Sequence, residues 1–176
     1  YDSQKKPFVY RCINRLDRDT TGLTIVAKHA LAGGILGNAV AKRAIHRTYY
    51  AICSGCTPEC MRINAPIARK DASTIERCVD FKRGEYAVTD FIRIKYNPDN
   101  DLSLIKLRLL TGRTHQIRVH MKYIGFPLIG DFLYNPDYTY ISRQALHSGR
   151  LVFTHPVTGQ KMNLRSDIPS DMKSLF

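Results

Sequence analysis

Between positions 102 and 110 the chain alternates strictly, with Ser103, Ile105, Leu107 and Leu109 on one side and Leu104, Lys106, Arg108 and Leu110 on the other. One apolar and one mixed face at a period of two predict a half-buried strand. Runs rich in β-branched and aromatic residues predict further strands over 8–13, 23–28, 47–52, 63–67, 74–79, 86–96 and 146–155, the last with Leu151 and Phe153 as core candidates. Turn signals separate them at Lys70-Asp71, Lys82-Arg83-Gly84, Asn97-Pro98-Asp99-Asn100 and Pro156-Val157-Thr158-Gly159. Residues 125–131 read as a loop and short strand, and the chain from Ser166 onward as a polar tail.

Two stretches follow the helical period instead. Over 30–45, Leu31, Ile35, Leu36, Ala39 and Val40 form an apolar stripe. Gly33, Gly34 and Gly37 weaken it by up to about 1 kcal/mol each relative to Ala and hint at close packing. The second helix starts at Thr114 as N-cap, carries Ile117, Met121 and Ile124 on one face, and stops at Gly125. Strands joined mostly by short turns predict an α+β fold, a mostly antiparallel mixed sheet with a few flanking helices. On the predicted strand 47–52, the adjacent Tyr49 and Tyr50 must point to opposite faces, one to the core and the other to whatever a cleft would hold.

The 176 residues are one domain's worth of sequence. A formal charge of +12 favours a polyanionic partner. The charge is clustered: 102–130 has no acid but holds Lys106, Arg108, Arg113, Arg118 and Lys122, and 138–166 has no acid either. Such stretches suggest a binding face, although a solvated surface that keeps the protein soluble has the same look. No apolar run reaches the ~20 residues that span a bilayer, and the first seven residues hold no signal-peptide core, so a cytoplasmic, monomeric protein with no membrane partner is expected. Five cysteines fit reduced thiols better than a disulfide framework. Cys53, Cys56 and Cys60 crowd three thiols together, but the nearest fourth ligands, His46 and Cys78, lie at no recognised zinc spacing, so no metal is expected.

Two stretches carry candidate chemistry. Arg15-Leu16-Asp17-Arg18-Asp19-Thr20-Thr21-Gly22 sets two carboxylates among arginines on a turn between predicted strands. It reads either as a connection whose Asp side chains bond their own backbone or as a site where flanking arginines hold a carboxylate ionised for use as nucleophile or base. Around the second helix, Arg113, His115, Gln116, Arg118 and His120 are denser than a short buried helix requires. That pattern fits a solvated helix end and an anion site at a helix N-terminus equally well. His147 and His155 are expected to be structural or hydrogen-bonded.

Taken together, Arg15-Leu16-Asp17 with Thr20-Thr21-Gly22, Arg47-Thr48-Tyr49-Tyr50-Ala51, the run Thr111 to His120, Gly130-Asp131 with Tyr134, and Ala145-Leu146-His147 with His155-Pro156 resemble, in that order, the RluA family of pseudouridine synthases. The resemblance covers nearly the whole chain. It implies a cofactor-free isomerisation of uridine to pseudouridine in structured ribosomal or transfer RNA, on a large mostly antiparallel sheet divided by a cleft. Asp17 matches the family's essential aspartate, which attacks the sugar or assists ribose deprotonation. Tyr49 matches the tyrosine against the target base, Arg118 the basic partner of the aspartate, and Arg15 the residue that fills the gap left by the displaced uridine. Arg113, His115, Gln116 and Lys122 join Arg15 as expected RNA contacts, and Asp19 is assigned only a turn.

The sequence departs from the family in Thr21, where Ser is usual, and in Ser148, where Ala is common after His147. The crowded cysteines are no part of its pattern. The family's catalytic domain begins further upstream, with a strand and an Asn-Lys-Pro segment, so a single catalytic domain lacking its N-terminal part, with no small S4-like RNA-binding domain, is expected over 1–176. A non-catalytic RNA-binding module derived from the same fold is the alternative. A ribonuclease using His115 and His120 finds no other support in the sequence.

Overall fold

The computed structural model describes residues 9–70 and 75–176. The expected strand start at Phe8, the strand residue Thr74, the turn residue Asp71 and the first seven residues lie outside the described residues.

The elements run β1 (Arg11–Cys12), β2 (Thr21–Gly22), β3 (Val26–Ala27), α1 (Ala30–Ala41), β4 (His46–Ser54), β5 (Cys60–Asn64), β6 (Ile67–Arg69), β7 (Arg77–Val79), β8 (Val88–Asn97), β9 (Leu102–Leu109), α2 (Gln116–Tyr123), β10 (Leu146–Thr154), β11 (Lys161–Arg165) and α3 (Ser170–Lys173). The main sheet has the order β11-β10-β4-β9-β8-β5, every neighbour antiparallel, and β2 lies parallel against β10. Two small antiparallel pairs, β1 with β3 and β6 with β7, flank it. This is the mixed α+β architecture the pattern predicts.

Each face of the sheet is covered in its own way. Tyr49, Ala51 and Cys53 of β4, Ile105 and Leu107 of β9 and Phe91 of β8 pack with Ile117 and Met121 of α2. On the same face, α1 contributes Ala32 and Leu36 to a cluster with Ile25, Ile45, Leu151 and Phe153. On the opposite face, Ile52 and Leu102 are covered by Ile129, Ile141 and Met172, with Ile168, Leu175 and Phe176 beside them. The stretch after Ser166 is therefore an apolar cover and not the polar tail expected. Burying a side chain such as Met172, only 1% exposed, contributes about 1.5–3 kcal/mol, which anchors a four-residue helix too short to form alone.

Several boundaries move for identifiable reasons. The first helix ends at Ala41 because Arg43 takes a left-handed conformation (φ 56°) and the Ala44 N–H returns to the Ala39 carbonyl at 2.8 Å. Ile45, the last residue of the expected helical range, instead leads into β4 as a core residue. The strand expected over 63–67 is broken at Ala65-Pro66, so Ile63 pairs with Thr89 in the main sheet while Ile67 pairs with Val79 in the small one. Residues 125–131 form no named strand, only isolated bridges from Leu128 to Cys53 and from Asp131 to Asn135. Thr114 is not the N-cap of α2: His115 is, in a left-handed conformation with no side-chain cap bond.

Candidate active site

The acidic turn is held from both sides. The Thr20 N–H bonds the Asp17 carbonyl at 3.0 Å, and Asp19 sits inside that turn at φ 68°, the turn role expected of it. Gln144, fully buried, donates its amide to the Arg18 carbonyl and, at 3.0 Å, to the Thr20 hydroxyl. Thr21 Oγ1 lies 2.9 Å from His147 Nδ1, and Thr21 and Gly22 pair with His147 and Ser148. Gly22 has φ 107°, and a Cβ there would stand 2.3 Å from the Ser148 carbonyl oxygen, so this parallel pairing needs glycine. A carboxylate on this turn is positioned by the sheet.

Asp17 Oδ2 then receives a bond from Arg118 Nη1 at 3.3 Å, across about a hundred residues of sequence. Arg118 is 1% exposed and sits in the first turn of α2. Its Nε and Nη2 donate to the two oxygens of Asp131, both at 2.7 Å, and Asp131 Oδ1 also accepts the N–H groups of Leu133 (3.0 Å) and Tyr134 (3.2 Å). Burial opposes the guanidinium charge, but Asp131, and after it Asp17, more than offset this and hold the Arg118 pKa above its ordinary value. The rings of Tyr134 and Phe132 flank the guanidinium at 4.9 and 5.3 Å. The two short, bidentate bonds go to Asp131 and the longer single one to Asp17. The inner pair is thus nearly self-neutralised, and the carboxylate left facing the cleft is Asp17.

That cleft has a volume of about 720 Å³ and is lined by Arg15, Asp17, Tyr49, Arg113, His115, Gln116 and Arg118, together with Arg43, Arg47 and Arg108. Asp17 is the only carboxylate among the described lining residues. Tyr49 is 5% exposed. Burial pushes its phenol up, Arg47 pulls it down, and its hydroxyl lies beside Arg47 and Ser148. The division expected of the two tyrosines therefore differs: Tyr49 serves both core and cleft, because the cleft opens on the core face of the sheet, and Tyr50 turns to the other face.

Seven of the eight expected site residues line the cleft, but they are held differently. Arg15 is exposed. Arg113 pairs with Glu85. His115 Nδ1 lies 2.9 Å from the Tyr134 hydroxyl, which itself accepts the Arg77 N–H at 2.9 Å. Burial lowers the His115 pKa and pushes that of Tyr134 up to about 12, so both groups favour their neutral forms. The Gln116 side chain is saturated within the protein: Oε1 accepts from Thr111 Oγ1 and the Arg113 N–H, and Nε2 donates to the Val88 carbonyl and Thr89 Oγ1, all within 2.8–3.0 Å. Lys122 is exposed and lies away from the cleft lining, its Nζ 5.7 Å from the Tyr134 ring centre. Sequence reasoning gave no role to Asp131, Gln144 or Arg47. The signal for Asp131 was present, an acid directly after Gly130 in an otherwise acid-free region.

His120 is fully buried, with Nδ1 2.9 Å from Thr89 Oγ1 and Nε2 2.8 Å from the Ala65 carbonyl. It cannot face a substrate as a ribonuclease acid or base. Cys53 is buried, its thiol pushed up by burial, while Cys56 and Cys60 are exposed. Among the described residues no three His, Cys, Asp or Glu side chains cluster as a metal site would require, and no helix is long and apolar enough to cross a membrane.

Burial lowers the pKa of His115, His120 and His147. A histidine depressed below its unfolded value of about 6.5 contributes stability that is present above that pH and lost as pH falls toward its folded pKa, because the unfolded chain then binds more protons. The thermal midpoint is expected to fall from pH 7.5 to pH 5.5. A scan showing a flat or rising midpoint over that range contradicts this assignment.

The mixed sheet carrying two helices on one face is the fold of a pseudouridylate synthase domain: human RNA pseudouridylate synthase domain containing 1 superposes with a TM-score of 0.79 at 25% identity, over 90% of this chain and 69% of that one. The family model described as RNA pseudouridylate synthase matches residues 1–123, and the chain belongs to that family. The RNA pseudouridine synthase YjbO of Bacillus subtilis, termed uncharacterized, is 44% identical over 93% of this chain and 57% of its own length. Ribosomal large subunit pseudouridine synthase D of Zymomonas mobilis is 38% identical over 93% of this chain and 54% of its own length. The chain thus spans about half the length of these curated relatives, and its family is the one its motifs resemble.

Proposed function

We propose that this protein isomerises specific uridines to pseudouridine in structured RNA, with Asp17 as the essential carboxylate and no cofactor. The observation that carries this reading is Asp17 itself, the one acid among the described residues lining an arginine-rich cleft, fixed by a sheet-anchored turn and touched by a buried Arg118–Asp131 pair. The relative named for the ribosomal large subunit supports ribosomal RNA as the substrate class over transfer RNA.

The reaction breaks the bond between C1′ and N1, turns the uracil, and joins C1′ to C5; the C5 proton leaves to solvent and N1 takes one up. The detached base must not escape, so the site has to hold it while the sugar is electron-poor. Asp17 stabilises or attacks that sugar, and the Arg118–Asp131 pair orients Asp17 without neutralising it. Tyr49 offers a flat surface for a base taken out of the stack, and a cleft of about 720 Å³ is in the range that receives a small ligand. Arg15, exposed at the rim, fills the space the base vacates, and Arg113 and His115 bear on neighbouring nucleotides.

Mapping pseudouridines in ribosomal and transfer RNA from cells with and without the gene tests the reading. At least one site is expected to vanish from ribosomal RNA on deletion and to return with the wild-type gene. Identical maps sink the proposal.

A further inference from the structure

The pairing register places a second basic surface on the opposite side of the sheet from α1 and α2. Reading across the strands, Arg62 of β5 stands beside Asp90 of β8, then Arg108 of β9, Thr48 of β4, Arg150 of β10 and Arg165 of β11. Lys106, two residues from Arg108, adds to the same face. The row crosses five gaps between neighbouring strands, a length of ~24 Å at the usual strand spacing. Its single acid, Asp90, is already held bidentately by Arg62 at 2.6 and 2.8 Å. The apolar cover that ends the chain packs over Ile52 and Leu102, away from this end of the sheet, and Arg62, Arg108 and Arg165 are exposed.

A fold needs no such row. Cations side by side on adjacent strands repel one another, and the Arg150–Asn163 bond at 2.9 Å supplies no counter-charge. Arg108 also lines the cleft, so the row joins the cleft where β9 ends.

We propose that this row is a second RNA-binding surface, taking the phosphodiester backbone of the stem that continues from the target nucleotide around the edge of the sheet. The assignment rests on the reading of the cleft as an RNA site. An RNA reaching past the cleft meets a polycation aligned with its path, and each neutralised phosphate releases counterions, which makes the contribution salt-dependent and indifferent to sequence.

The test compares wild-type protein with the triple variant Lys106→Gln/Arg150→Gln/Arg165→Gln, none of which lines the cleft. Binding is measured against a short stem-loop RNA and one whose stem extends well beyond the cleft, over a salt series. The variant is expected to keep wild-type affinity for the short RNA, to lose about tenfold or more on the long one, and to show a salt slope shallower by about 2–3. The charge-preserving variant Lys106→Arg/Arg150→Lys/Arg165→Lys is expected to restore both, which a packing defect would not allow. Unchanged long-RNA affinity and slope in the Gln variant overturn the proposal. If the wild type forms no pseudouridine while long-RNA binding still depends on the row, the catalytic reading fails and the surface stands.

Discussion

Asp17→Asn is expected to reduce pseudouridine formation by about a thousandfold or more while leaving RNA affinity and folding near wild type. The asparagine keeps the shape of the side chain and an oxygen for Arg118 Nη1, which makes a single 3.3 Å bond there. What it removes is the negative charge and the nucleophilic oxygen. Folding is spared because the short bonds of Arg118, both 2.7 Å, go to Asp131 and survive the change. Single-turnover rates, with circular dichroism on the same samples, check this outcome. A rate within a few-fold of wild type would remove Asp17 from the chemistry.

Arg118→Met is expected to cost about 3–5 kcal/mol of stability, together with activity. The substitution strands the Asp131 carboxylate, which is 0% exposed, with only two backbone N–H groups for company. The double variant Arg118→Met/Asp131→Leu removes both charges and is expected to recover most of the stability but none of the turnover, since the cationic partner of the Asp17 carboxylate is gone. Urea unfolding measures the first effect and RNA turnover the second. A single variant within about 1 kcal/mol of wild type would show that the pair is not the buried anchor described here.

Much of this was legible in the chain because local chemistry fixed it. The alternation around Ile105 and Leu107 is the core of β9, and Ile117, Met121 and Ile124 do pack from one face of α2. Asp17, Tyr49 and Arg118 were singled out and do meet at the cleft. What escaped depends on partners distant in sequence. A polar density that suits a solvated helix end is instead buried in α2, where Gln116, Arg118 and His120 each find partners on other elements. Thr114 lost the cap position because His115 takes a left-handed conformation and the Gln116 N–H bonds the Arg113 carbonyl at 3.2 Å, which starts the helix one residue later. The tail after Ser166 looked polar because its few apolar residues are spaced irregularly, and only the sheet face beneath shows that Met172 and Phe176 belong together.

Tritium release from RNA carrying 5-tritiated uridine measures the central claim most directly, since the C5 proton leaves only if the base is rejoined through carbon. Wild-type protein is expected to release tritium with time in step with pseudouridine recovered from the digested RNA, and Asp17→Asn is expected to release none above background. Salt-dependent binding of the same RNA by the wild type without tritium release would contradict the account and leave a module that holds RNA but does not transform it.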